Sequence, residues 1–233
     1  MKRILRSFAF SLLLLPAVAG AGTQTFVDDF EGGTNIGNWH YNPGDVLESS
    51  GGNPGWWLHN EFIDNFAVIF VSSYFAPQFT GDWRAINVTN FTFDARLFDY
   101  SVDMPMTLLL RNTHGTPNDF DDDDYAYYPG AQIPPNDGTW THYDFAIPSQ
   151  DTDPVPAGWV GGYSGDPENF RPGVDWNDIV TQVDRVEIWF WHPAFFGIFT
   201  LWNAGLDNVA ITTDITVSVD ETSWGAIKSL YRE

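Results

Sequence analysis

The chain has 233 residues, no cysteine, and 31 Asp and Glu against 10 Lys and Arg, a formal charge of −21. The missing cysteine excludes thiolate catalysis, zinc–thiolate centres and iron–sulfur clusters. The acidity, with no basic stripe to offset it, excludes nucleic acid and anionic membrane surfaces as charge-matched partners.

The first 21 residues read as a signal peptide. Lys2, Arg3 and Arg6 form a basic start, Phe8 to Leu15 a short apolar run, and Ala19-Gly-Ala21 the small residues of a cleavage site. That run is short for a bilayer span, and nothing later in the chain approaches its length. The mature chain is therefore expected to be secreted or at the cell surface, extracellular or periplasmic, with no membrane span. An exported chain without disulfides points to a bacterial source. Its hydrophobic content of 43% allows a core large enough to fold without them.

From there on the chain reads as short β-rich runs between turns. The expected strands are Thr25–Phe30, Trp56–Leu58, Ala67–Tyr74, Val88–Phe98, Met106–Arg111, Trp140–Ile147, Arg185–Trp191, Phe199–Trp202 and Leu206–Thr212. Gly, Pro, Asn and Asp clusters separate them at Asn42–Asp45, Gly51–Gly55, Asn136–Gly138 and Gly161–Pro172. Trp176–Val183 is the one helical stretch inside this region. The fold class is all-β, a jelly-roll-like antiparallel β-sandwich over 22–212. Residues 213–233 read as a tail carrying a short amphipathic helix that Ser223 caps.

Alternation along the strands assigns their faces. Phe91, Phe93, Ala95 and Leu97 oppose Thr92, Asp94, Arg96 and Phe98; Met106, Leu108 and Leu110 oppose Thr107, Leu109 and Arg111. Val186, Ile188 and Phe190 oppose Arg185, Glu187, Trp189 and Trp191. If these strands are neighbours, Asp94, Arg96, Arg111, Glu187, Trp189 and Trp191 share one face that mixes aromatic rings with charge. Sugar rings stack their C–H faces on tryptophan while carboxylates and guanidinium groups bond the hydroxyls, so a polysaccharide or cell-surface glycan is the expected partner. The competing reading covers that face with loops such as Phe195–Phe199, as a second packed layer with buried ion pairs.

The order of several motifs resembles the laminin IV (laminin B) type of domain in its bacterial secreted forms. Phe30-Glu-Gly-Gly with Trp39 is similar to the opening strand, and Gly51-Gly-Asn-Pro-Gly-Trp-Trp-Leu58 to the turn before the second. Phe75-Ala-Pro-Gln-Phe-Thr-Gly-Asp-Trp83, Phe91-Thr-Phe-Asp-Ala-Arg96, Gly138-Thr-Trp-Thr-His-Tyr143 and Gly205-Leu-Asp-Asn-Val209 continue the series. The resemblance implies a jelly roll related in architecture to carbohydrate-binding modules, without enzymatic activity. It also implies a structural calcium ion near the first and last strands, where Asp28, Asp29, Glu31 and Asp207 stand in similar positions and Asn208 adds an oxygen. The alternative use of these side chains is local capping of backbone amides.

The acidic run Asn118–Tyr125 lacks the glycine and closing glutamate of an EF-hand and reads as a solvated loop, with Tyr125, Tyr127 and Tyr128 beside it. The five histidines, His40, His59, His114, His142 and His192, are scattered without metal spacing, and no Gly-x-Ser-x-Gly elbow is present. Catalysis is not expected. The second functional reading is a structural or adhesive surface protein without glycan specificity.

Overall fold

Among the described residues, strands make up most of the regular structure. In the computed structural model, which describes residues 22–40, 45–65, 69–72, 76–99, 103–117, 119–195 and 200–215, alternate burial is clearest in the strand Thr141–Ala146, whereas Pro105–Asn112 is buried almost throughout. The expected signal peptide and C-terminal helix lie outside the described residues. Thr23–Ile215 forms one compact unit; of the other, made of Met1–Gly22 and Thr216–Glu233, only Gly22 is described.

Eleven strands are described: β1 Gly22–Asp28, β2 Asp45–Gly52, β3 Gly55–Asn65, β4 Ile69–Val71, β5 Val88–Leu97, β6 Pro105–Asn112, β7 Asp124–Gln132, β8 Thr141–Ala146, β9 Val160–Tyr163, β10 Arg185–Trp189 and β11 Thr200–Ile215. They build two antiparallel sheets. Sheet A runs β2-β3-β11-β5-β8, with β1 added to β11; sheet B runs β4-β10-β6-β7-β9. This is the jelly-roll-like sandwich that the turn-punctuated sequence predicts.

The core lies between the sheets. Phe91, Phe93, Ala95 and Leu97 of β5 meet Met106, Leu108 and Leu110 of β6 and Val186 and Ile188 of β10 there, all fully buried. Rings set much of the geometry: Phe93 stacks on Tyr143 and Phe145 of β8 at 5.3 and 5.7 Å. Such contacts add to the area term, which gives about 1.5–3 kcal/mol for each large apolar side chain buried.

The one α-helix among the described residues, α1 Trp176–Val180, is shorter than the sequence predicts. Asp175 caps it, accepting from the Asn177 and Asp178 amides, while Asp178 returns the bond to the Asp175 N–H. Trp176, Ile179 and Val180 turn into the core.

Three strands have no counterpart among the expected ones. β2 runs between the expected turns Asn42–Asp45 and Gly51–Gly55 and overlaps both, β7 begins inside the acidic run, and β9 overlaps the expected loop Gly161–Pro172. The two expected late strands are one, β11, which bends where its register to β5 shifts between Asp207 and Ala210. Inward residues change there from Trp202, Ala204 and Leu206 to Val209 and Ile211. Asn208 takes a left-handed backbone (φ 49°), which asparagine tolerates better than most residues. This bulge turns the Asp207 carboxylate back into the structure.

Candidate functional site

The six residues expected on one face fall in three places. β5 follows β3 and β11 in sheet A, whereas β6 and β10 pair in sheet B, so Asp94 and Arg96 point outward on the opposite side of the sandwich from Arg111, Glu187 and Trp189. Trp191 joins neither group. It lies past the end of β10, is 3% exposed, packs in the core, and donates its indole N–H to the Phe195 carbonyl at 3.0 Å.

On sheet B the register brings Arg111 opposite Arg185 and Tyr125, and Leu109 opposite Glu187 and Tyr127. Glu187 is the hub. It accepts from Arg111 Nε and Nη2 at 2.6 and 3.1 Å, from Arg185 Nε at 2.8 Å and from Trp189 Nε1 at 2.7 Å. Arg111 Nη1 also reaches Asp123 at 3.1 Å, and its guanidinium lies 5.1 Å from the Tyr125 ring centre. Burial alone would raise the Glu187 carboxyl, but the Arg111 and Arg185 charges and the hydrogen bonds from Arg111 and Trp189 outweigh it and hold it at about 2. Burial pushes the Tyr125 hydroxyl up to about 12, against the pull of Arg111.

Loops close over part of this face. His192 sets its edge against Tyr127 at 5.3 Å and carries Phe195 at 5.0 Å. Tyr125 and Tyr127 are consequently 8% and 1% exposed. Phe120, 5.3 Å from the Arg185 guanidinium, and Phe195 remain open to solvent, and Trp189 in β10 is half-buried. Thr107 Oγ1, across the pairing from Trp189, and Asp123 Oδ1 are buried without a hydrogen-bond partner. The ion pairs of this face are buried and the Phe120 and Phe195 rings stay open; of the expected covering loop Phe195–Phe199, only Phe195 lies within the described residues.

Sheet A presents a different surface. Arg96 projects outward among Trp57 of β3, Phe98 just beyond β5, and Trp140 just before β8. Trp57 stacks on His59 at 4.4 Å, and His59 joins Asn203 of β11 through Nε2 at 2.8 Å. Gly205 of β11 lies beneath: a methyl group there would come within 2.6 Å of the Trp57 ring. Burial draws the Arg96 guanidinium below its ordinary value, opposed by Asp207 and Glu48. Beside it, Asp94 bonds His142 Nδ1 at 2.6 Å and the Asn208 and Asn53 amides at 2.8 and 3.1 Å. Trp57, Trp140 and His142 escape an analysis that begins from charged residues. The alternation of Trp57 and His59 against Trp56 and Leu58 is the signal that marks the first of them.

The four carboxylates expected to hold calcium are engaged with backbone amides. Asp28 accepts from Gly37 at 2.7 Å, Asp29 from Glu31 at 3.1 Å, Glu31 from Trp56 at 3.0 Å, and Asp207 from Asn53 and Asn208 at 2.6 and 2.7 Å. Through these bonds Glu31 and Asp207 tie the β2–β3 turn to both ends of the fold. Negative charge still accumulates. Burial pushes Asp207 up to about 6, with Asp94 and Asp29 adding to the shift, and burial with Asp29 likewise raises Asp28. Asp28 Oδ1 is buried with no partner. Among the described residues, no three His, Asp or Glu side chains gather closely enough to cage a metal by themselves. Calcium also takes backbone carbonyls.

Two clefts of about 380 and 370 Å³ flank Trp159 near the β8 and β9 edges, away from both faces. No helix among the described residues is long and apolar enough to cross a membrane.

No family model and no curated protein matches this chain. It is similar in structure to CtCBM11, a carbohydrate-binding module, with a TM-score of 0.43 and 16% identity over 85% of this chain and 99% of that one. It is also similar to the L4b domain of human laminin alpha-2, with a TM-score of 0.36 and 13% identity over 67% and 85%. An agarase, AgWH50C, aligns with a TM-score of 0.38 and 13% identity over 83% of this chain and 25% of its own.

Proposed function

We propose that the protein is an exported binding module, not an enzyme, and that it holds carbohydrate on the outward face of sheet B. One observation carries this reading. Trp189 is half-buried on this face with its indole N–H held by Glu187, beside the Arg111–Glu187–Asp123 network, and the Phe120 and Phe195 rings on the same face stay exposed. An indole fixed in this way stacks on a sugar without losing rotamer freedom. The same network argues against turnover, because Arg111 and Arg185 tie Glu187 down as an ionised carboxylate, which leaves it no proton to give.

Trp189→Ala should weaken retention on the bound polysaccharide by about tenfold, as expected for the loss of one stacked ring. Affinity electrophoresis in gels containing cellulose derivatives, xylan, mannan, laminarin or agarose reads this directly. An unmutated chain that none of these gels retards, with or without calcium, would overturn the carbohydrate reading.

Calcium belongs to the same proposal as a structural element held by Asp28, Asp29, Glu31 and Asp207. The repulsion of Asp29 on Asp28 and on Asp207, and the unpartnered Asp28 Oδ1, support it. A ligand confined to the native state adds about 2.7 kcal/mol at a hundredfold excess over its Kd. Melting should therefore shift downward by several degrees in EDTA and recover with added calcium. Identical melting curves would remove the ion.

A further inference from the structure

The outward face of sheet A holds a guanidinium that the protein itself does not satisfy. Arg96 lies with its central carbon 3.7 Å from the Trp57 ring centre, 4.4 Å from Trp140 and 4.6 Å from Phe98. It is 9% exposed, and its Nε is buried with no hydrogen-bond partner. Among the described residues it donates no hydrogen bond, whereas Arg84, Arg111, Arg171 and Arg185 all reach carbonyls, amides or carboxylates. Asp207 and Glu48 act on Arg96 through the field without forming an ion pair. A guanidinium has five N–H donors in a planar fork, and of these nitrogens Nε is the one buried without an acceptor, which is a cost to the fold.

The rings are fixed from behind. Trp57 and Trp140 donate their indole N–H groups to the Ser50 and Gly51 carbonyls of β2 at 3.0 and 3.1 Å. Trp140 and Phe98 are half-buried, leaving ring surface open, and the His142 side chain is 61% exposed with Nδ1 committed to Asp94. Donors without acceptors, flat apolar surface and an exposed imidazole therefore meet at one place. Charge selects among ligands. With Asp94, Asp207 and Glu48 close by and a chain at −21, a carboxylate or sulfate would meet repulsion, while a neutral hydroxyl oxygen would not.

We propose that this face is a second ligand site, which takes a neutral sugar ring against Trp140 and Phe98 with hydroxyl oxygens accepting from Arg96. It lies on the opposite sheet from Trp189, so it stands or falls separately from the sheet B site.

The test is a titration of the ¹⁵N-labelled full chain with neutral hexasaccharides of cellulose, xylan, mannan, laminarin and agarose. The Trp140 indole and Arg96 Nε–H signals should move with at least one of them, and should still move in Trp189→Ala. In Trp140→Ala the Arg96 shift should require about tenfold more sugar. If Trp189 responds while Trp140 and Arg96 stay still, the sheet A proposal falls and the sheet B reading survives. Stationary signals at all three positions overturn both. The titration of the unmutated chain decides even if the Trp140 variant does not fold.

Discussion

Replacing Glu187 with alanine is expected to destabilise the fold by about 3–5 kcal/mol, because it removes the buried carboxylate that Arg111 and Arg185 share. Urea denaturation at neutral pH measures this as a lower midpoint at unchanged slope. The same residue sets an acid dependence. Its folded carboxyl titrates at about 2 against an ordinary 4.5. The stabilisation is thus complete above about 4.5 and disappears as pH falls toward 2, amounting to about 3 kcal/mol. Asp123, raised by burial, works with the opposite sign but is present in both chains, so the difference between wild type and Glu187→Ala chiefly reports Glu187. A difference that stays constant from pH 7 to pH 2.5 would show that Glu187 gains nothing from its partners.

An effect of similar size belongs to Phe93→Ala. Phe93 is fully buried on β5, stacked on two rings of β8 and edge-on to Phe91 at 6.3 Å. Truncation leaves a cavity walled by rigid rings that cannot collapse into it, at a cost of about 3–5 kcal/mol. A loss below 1 kcal/mol in the same urea assay would mean that the β5–β8 contact is loosely packed. The two variants should also differ in character: Phe93→Ala acts at every pH, whereas Glu187→Ala converges on wild type in acid.

The strands that carry a clean apolar alternation were legible in the sequence. β5, β6, β8 and β10 lie within a few residues of expectation because one face of each must be buried. β2 and β7 were hidden for a physical reason. β2 is an edge strand rich in Gly, Ser and Glu, and β7 opens in an aspartate run whose last members are buried: Asp123 by Arg111, and Asp124 by His114 and Arg171. Alternation also identifies which side chains share a face without saying which sheet a strand joins. β5 and β6 follow each other in sequence yet belong to opposite sheets, and that fact alone separates Asp94 and Arg96 from Arg111 and Glu187. Trp191 falls outside both faces because β10 ends two residues before it, at Trp189. The pairing of the first strand with the last, by contrast, was readable from their bracketing positions, and β1 does pair with β11.

The central place of β11 has a consequence for how the molecule is made. It is the last described strand to be synthesised, yet it lies between β3 and β5 and has more contact with them than any other strand pair. Until it arrives, the facing edges of β3 and β5 have no partner, and sheet A is two separate fragments. Unpaired edges of this kind recruit other chains. An emerging polypeptide that has not yet released Thr200–Ile215 is therefore the form most exposed to aggregation, and a chain cut before Thr200 should never leave it.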